Sequence, residues 1–295
     1  MVKMTINDLL KKGIYILLEN NISNPQLDVE LLLSYTLNVD KVYIYTHRDE
    51  EVSNESVDNF LKLIDRRKQG YPLQYILKKQ EFMGLDFCIE EGVLIPRQDT
   101  EVLVEKIINI VNNGHFKDRK VINIVDIGVG SGAISLSLVH YLEKAHVYSI
   151  DIDNKAIEIT RKNSVRLGLE DKITLLKGNL FSPLTPLNLE NKIDIIVSNP
   201  PYIPSQDIDT LQVEVAKYEP RKALDGGIDG LDFYRKIIPE SIKYLRKDGV
   251  LAFEIGYNQG NEVANLIKES GSFKGVEVIK DLAGLDRAVL AYCNK

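Results

Sequence analysis

From about residue 98 to its end the chain alternates short apolar runs with amphipathic stretches, and that rhythm leaves few folds open. A helical pattern over 100–111 leads to the strand-like run VINIVDIG (121–128). A helix follows, then AHVYSIDID (145–153), a helix over 154–167 and a strand over 172–176. KIDIIVSN (192–199) reads as a fourth strand, and a helix over 231–245 precedes GVLAFEIG (249–256). Strands joined through helices run parallel, and the helices cover both faces of the sheet they make. The last segment breaks the rhythm. GVEVIKDLAGLDRAVLAYC (275–293) holds two strand-like runs around Gly284, too close for a crossover helix, so they pair antiparallel. An α/β fold is expected, with a mostly parallel sheet and an antiparallel C-terminal strand.

The first third has a different period. Ile6, Leu9, Leu10, Ile14, Leu17 and Leu18 recur at helical spacing, and Thr5 with Asp8 reads as an N-cap. Pro25 suits the first turn of a second helix, whose apolar face is read as Leu27, Leu31, Leu32 and Tyr35. A third helix is expected over 55–68, with Val57, Phe60, Leu61 and Ile64 inward and the basic cluster DRRKQG (65–70) as a solvated helix end. Residues 1–72 thus form a small helical bundle. Residues 73–97 hold a linking β-hairpin, with Phe82, Leu85, Phe87 and Ile89 around a Met83-Gly84 turn, and 98–295 form the α/β domain.

Two short stretches carry chemistry. VDIGVGSGAIS (125–135) sits between a strand and a helix, and Gly128, Gly130 and Gly132 let the backbone turn tightly and approach a ligand. The spacing is G-x-G-x-G, so the third glycine is out of place for a dinucleotide fingerprint, and no Lys-Ser/Thr pair completes a P-loop. Asp151 closes the next strand, where an acidic side chain bonds ribose hydroxyls in folds of this kind. Asp153 is read as the cap of the following helix. The second stretch is SNPPY (198–202), a strand end followed by two prolines that lock φ and carry no N–H.

Together, DIGVGSG, Asp151 and NPPY resemble class I S-adenosylmethionine-dependent methyltransferases acting on an amide or amino nitrogen. LQYIL, LIPRQDTE, IVSNPPYIP, YEPRKALDGGIDGL, FEIGYNQG and DLAGLDRAVLA follow in the order of the HemK-type family of peptide-chain release factor glutamine methyltransferases. The resemblance covers nearly the whole chain. It implies a Rossmann-like class I methyltransferase sheet behind a substrate-recognition bundle, and methyl transfer to N5 of the glutamine in a Gly-Gly-Gln loop of class 1 release factors. It implies S-adenosyl-L-methionine bound by Gly128, Val129, Gly130, Ser131, Gly132, Asp151 and Asn199, leaving S-adenosyl-L-homocysteine. Asn179 and Leu180 stand where the family has an acidic residue and often an aromatic against the adenine. Asn199, Pro200, Pro201 and Tyr202 are then the substrate corner, and Asn199, Pro200 and Tyr202 the catalytic residues. A carboxamide nitrogen is a poor nucleophile because its lone pair is delocalised. The Asn199 side-chain oxygen and the Pro200 carbonyl would hold its two N–H groups, with Tyr202 flanking the flat amide.

Rival readings are a glutamine methyltransferase of a ribosomal protein, an adenine-N6 DNA methyltransferase, and a cofactor-binding protein without catalysis. The net charge of −6 and the absence of an inserted recognition domain disfavour direct nucleic-acid binding. His47, His115, His140 and His146 form no ligand spacing, so no metal is expected. Cys88 and Cys293 are far apart, no run is long and apolar enough for a bilayer or signal segment, and a cytoplasmic monomer is expected.

Overall fold

A computed structural model describes residues 3–295. The backbone divides into two compact units. One comprises the chain up to Lys78 together with Gln212–Tyr218, the other Lys79–Leu211 with Glu219–Lys295.

The first unit is helical. In α1 (Ile6–Glu19) the Thr5 hydroxyl accepts from the Asp8 N–H while the Asp8 carboxylate accepts from the Thr5 N–H, a reciprocal capping box. Pro25 opens α2 (Pro25–Leu37), Asp40 caps α3 (Lys41–Thr46), and Ser53 caps α4 (Asn54–Arg67). A short α5 follows (Leu73–Leu77). Leu9, Leu17, Val29, Leu32, Leu33, Phe60 and Ile64 fill the core. The face expected of α2 is corrected here: Leu27 and Tyr35 are exposed, and Val29 and Leu33 are buried beside Leu32. Apolar residues lie all round this helix, so periodicity could not choose a side.

A buried ion pair does choose it. Arg67 Nε donates to Asp28 Oδ2 at 2.6 Å, and Arg67 Nη2 donates to Glu214 Oε1 at 2.6 Å. The expected solvated end of α4 is therefore wrong for Arg67, which is only 3% exposed. Burial pushes the Asp28 carboxyl up while Arg67 pulls it down. Removing one partner of such a pair strands a buried charge, so the contact fixes how α2 faces α4.

The second unit begins with the hairpin β1 (Lys79–Phe82) and β2 (Leu85–Cys88), turned over Met83 and Gly84 at φ 52° and 69°. Then come α6 (Glu101–Asn112), β3 (Ile122–Ile127), α7 (Ala133–Tyr141), β4 (Ala145–Asp151), α8 (Asn154–Leu167), β5 (Ile173–Lys177) and β6 (Ile193–Ser198). After α9 (Val213–Tyr218), which belongs to the helical unit, the chain makes α10 (Asp232–Tyr244), β7 (Leu245–Glu254), α11 (Gly260–Glu269), β8 (Phe273–Lys280) and β9 (Asp286–Cys293). The expected boundaries at 72 and 97 differ from this division. Residues 73–77 are helical, the hairpin groups with the sheet, and 212–218 joins the bundle.

The sheet order is β5-β4-β3-β6-β7-β9-β8, with β9 antiparallel to β7 and β8. This is the Rossmann-like arrangement expected. From β3 the chain runs outward to β4 and β5, then returns to lay β6 on the other side of β3. Such a reversal opens a crevice at the carboxyl ends of the two central strands, where ligands bind in open α/β sheets. Every residue of β6 is buried, as a central strand covered on both faces must be.

Candidate active site

The β3–β6 register sets the site. Ile127 pairs with Ser198, and the Ser198 hydroxyl donates to the Ile127 carbonyl at 2.6 Å. The glycine loop and SNPPY therefore leave the sheet side by side. Gly128, Gly130 and Gly132 hold φ of 81°, 57° and 85°, a region costly for any other residue. At Gly130 an added Cβ would meet nothing within 4 Å, so the loop faces open room there. At Gly132 it would come within 2.8 Å of Thr160, so that glycine serves packing onto α8.

Asp151 closes β4 as expected and reaches back to the loop. Its Oδ2 accepts from the Gly130 N–H at 3.0 Å, and its Oδ1 accepts from the Asp153 N–H at 2.9 Å. Burial pushes its carboxyl up, while the Gly130 N–H and Lys222 pull it down. Asp153 accepts from the Lys155 N–H, capping α8. Beneath the loop, Asp126 accepts from the Ser135 hydroxyl at 2.6 Å, and burial pushes its carboxyl up to about 7.

One cleft gathers most of the expected residues: Gly128, Gly130, Asp151, Asn179, Leu180, Asn199, Pro200 and Pro201. Its apolar walls come from Val93, Leu94, Ile152, Leu180, Phe233 and Ile237. A smaller cleft beside it, lined by Val129, Ser131, Phe82, Arg97 and Thr100, shares Gly128, Gly130 and Asn199. Gly132 and Tyr202 line neither. An apolar slot with the carboxylates of Asp151 and Asp153, the carboxamides of Asn179 and Asn199, and Lys222 already paired with Asp153, next to open room over a glycine, fits a nucleoside with free ribose hydroxyls. S-adenosylmethionine meets that description. Asp151→Ala should weaken its binding about 30-fold, since a hydrogen bond to a charged group contributes about 1.5–3 kcal/mol. Calorimetric titration of the cofactor measures it, and turnover at saturating cofactor should fall far less.

The corner itself is braced from three sides. Asn199 Nδ2 donates to the Thr100 hydroxyl at 3.4 Å, which leaves Oδ1 with no hydrogen-bond partner among the described residues. The Tyr202 hydroxyl donates to Glu254 Oε1 at 3.3 Å. The phenol hydroxyl is therefore held at the end of β7. Gln259 Nε2 donates to the Tyr202 carbonyl at 2.9 Å. A Cβ on Gly226 would come within 2.8 Å of the Pro201 carbonyl, and one on Gly230 within 2.2 Å of the Tyr202 carbonyl. Glu219 is buried, pairs with Arg97 and accepts from the Ile95 N–H at 3.4 Å. Asn163 accepts from the Cys88 N–H at 2.7 Å and donates to the Ser131 carbonyl at 2.8 Å, stitching the hairpin to the glycine loop.

Sequence reasoning did not single out Thr100, Asn163, Gly226, Gly230, Glu254 or Gln259. Thr100, Gly226, Gly230, Glu254 and Gln259 all lie in the quoted family motifs, and that was the only available signal. Among the described residues no group of three or more metal-ligating side chains gathers, and no helix is long and apolar enough to cross a membrane.

Comparison with known proteins agrees with this geometry. The PrmC N-terminal domain model matches residues 8–77, and the Methyltransferase small domain model matches 100–284. The chain is 42% identical to the release factor glutamine methyltransferase of Moorella thermoacetica over 98% of its own length and 99% of that protein's. It is also 42% identical to the enzyme of that name from Clostridium acetobutylicum, over 98% of each. A crystal structure of protein-(glutamine-N5) methyltransferase (release factor-specific) from Alicyclobacillus acidocaldarius is 28% identical. It covers 68% of this chain and 95% of its own, with a TM-score of 0.41. With the helical unit, the glycine loop and the proline corner all in place, the chain belongs to the release factor glutamine methyltransferase family.

Proposed function

We propose that this protein methylates N5 of the glutamine in the Gly-Gly-Gln motif of class 1 peptide-chain release factors, and that the Asn199–Pro200 corner is where the glutamine amide is held. The observation that carries the site assignment is the Asn199 side chain. Its nitrogen is committed to Thr100, so its oxygen is the atom offered to a ligand beside the cofactor cleft.

S-adenosylmethionine supplies an electrophilic methyl group when bound. This chain's residues do the rest by placement. Asp151 takes the ribose hydroxyls, and Asn179 and Leu180 meet the adenine. The Asn199 oxygen and the Pro200 carbonyl accept the two N–H groups of the substrate amide and turn the face of its nitrogen to the methyl donor. Proline stiffness makes that geometry cheap to hold, because φ is already fixed. Placement of this kind lowers a barrier by about 7–11 kcal/mol in favourable cases. Both acceptors also strengthen as the nitrogen gains positive charge, which stabilises the transition state more than the ground state, and the strongly acidic N-methylated amide then gives one N–H proton to water. Glycines beside the glutamine would let the loop enter a narrow site. The acidic balance and two distant cysteines suit a cytoplasmic monomer, and 1–78 with 212–218 suits a docking unit for the protein substrate.

The test is direct. The protein is incubated with labelled S-adenosylmethionine and, separately, a class 1 release factor, a ribosomal protein and duplex DNA. Mass spectrometry should find the label on the side-chain nitrogen of the release-factor glutamine. Label on adenine, or on another protein residue, rejects the proposal.

A further inference from the structure

Glu254 has no part in the chemistry above, yet it lies beside it. Ser198 pairs with Phe253 across β6 and β7, so Asn199 and Glu254 follow next to each other at the carboxyl edge of the sheet. The carboxylate is 2% exposed. One oxygen accepts from the Tyr202 hydroxyl at 3.3 Å, and the other is buried without a hydrogen-bond partner. The Thr100 hydroxyl stands close enough to favour the charged form, though not in full hydrogen-bond geometry to that second oxygen. Thr100 in turn accepts from Asn199 Nδ2 at 3.4 Å. A hydroxyl has one proton to give and lone pairs to spare, so Thr100 can face Glu254 with its proton and Asn199 with its oxygen.

We infer that Glu254 is a positioning residue for the methyl transfer, holding both ends of the Asn199–Tyr202 corner: Tyr202 directly and Asn199 through Thr100. The inference rests on the proposed reading of that corner. A negative charge here orients the Thr100 proton, which leaves the Thr100 oxygen as acceptor for the Asn199 N–H. The amide of Asn199 is thereby kept from flipping, and its oxygen stays on the substrate side. Burial without a full set of partners is costly, and few reasons retain such a group in a core. Burial pushes the Glu254 carboxyl up to about 7, with the nearby Asp99 adding to the rise. Thr100, Tyr202 and Arg287 pull it down. The proton is therefore lost within the working range of pH, and the charged form is the stronger acceptor for the Tyr202 hydroxyl and the one that draws the Thr100 proton toward it.

The test uses the full chain with a release factor. Glu254→Gln keeps the shape and removes the charge. It should lower kcat about tenfold or more, the scale of one orienting hydrogen bond, with KM for the release factor and Kd for the cofactor within about twofold. Wild-type kcat should rise between about pH 6 and pH 8 as Glu254 ionises, and that limb should vanish in the variant. Thr100→Val should match the loss, Thr100→Ser should restore activity, and the Glu254→Gln/Thr100→Val double variant should be no worse than either single one. Wild-type kcat and pH profile in Glu254→Gln, or additive losses in the double variant, overturn the inference. Should Glu254→Gln not fold, the Thr100→Val and Thr100→Ser pair decides: equal activity in the two overturns it. Wild-type protein that leaves the glutamine unlabelled would instead defeat the reading on which the inference rests.

Discussion

Replacing Asn199 by Ala should cut turnover about 10²–10³-fold while leaving the cofactor Kd within a few-fold of wild type. The magnitude is that of removing one preorganised polar group from a site where charge develops. The asymmetry follows from the roles proposed for the residues of one cleft, which Asn199 lines together with Asp151. Asp151 and the apolar walls proposed to hold the cofactor are untouched by the change. The acceptor proposed to fix the substrate amide is lost, so the amide would regain its freedom to rotate. Steady-state kinetics with labelled cofactor, paired with calorimetric titration, separate the two effects. Full turnover in this variant would remove Asn199 from the role proposed for it. An equal loss in cofactor affinity would move Asn199 to the donor side of the site.

Gly230→Ala should damage the same corner from behind. Gly230 holds a φ of 77°, and a Cβ there would lie 2.2 Å from the Tyr202 carbonyl and 2.6 Å from Gln259 Nε2. Neither neighbour can give way cheaply. The first is backbone, and the second is the group that donates to that same carbonyl. Strain in this left-handed region together with the displaced brace is expected to cost about 2–4 kcal/mol of stability. Turnover should fall by more than the folded fraction does, because the shifted atoms belong to the substrate corner. Thermal unfolding and single-turnover rates on the same sample check both parts. A stable variant with normal turnover would show that the GGIDG segment does not brace SNPPY.

What could be read in the chain beforehand depended on how local each signal was. The glycine loop and Asp151 were legible because a strand end, a turn and the next strand end lie close along the sequence, and each has a fixed place in a parallel sheet. The antiparallel end was legible because two strands around Gly284 leave no room for a crossover. The face of α2 was not, since its side is set by Arg67, which lies a whole helix further along the chain. Thr100, Glu254 and Gln259 were silent for the same reason. They meet SNPPY only once the chain has folded, Glu254 and Gln259 through the pairing of β6 with β7, and neither period nor spacing encodes those meetings. The motif also left unread that the Tyr202 hydroxyl donates to a buried carboxylate, a contact made only by the folded chain.

The placement of Glu214 against Arg67 also bears on how the molecule is made. A ribosome releases this chain from its N-terminus onward. By the time residue 78 has emerged, all five leading helices are available, but the second acid for the Arg67 guanidinium has not yet been synthesised. The bundle can gather early and can only be finished late, after the polymer has grown through the first four strands of the seven-stranded sheet. Maturation of the two units is thus interleaved in time, and the leading bundle is not an autonomous module that could be cut away at residue 78 without loss.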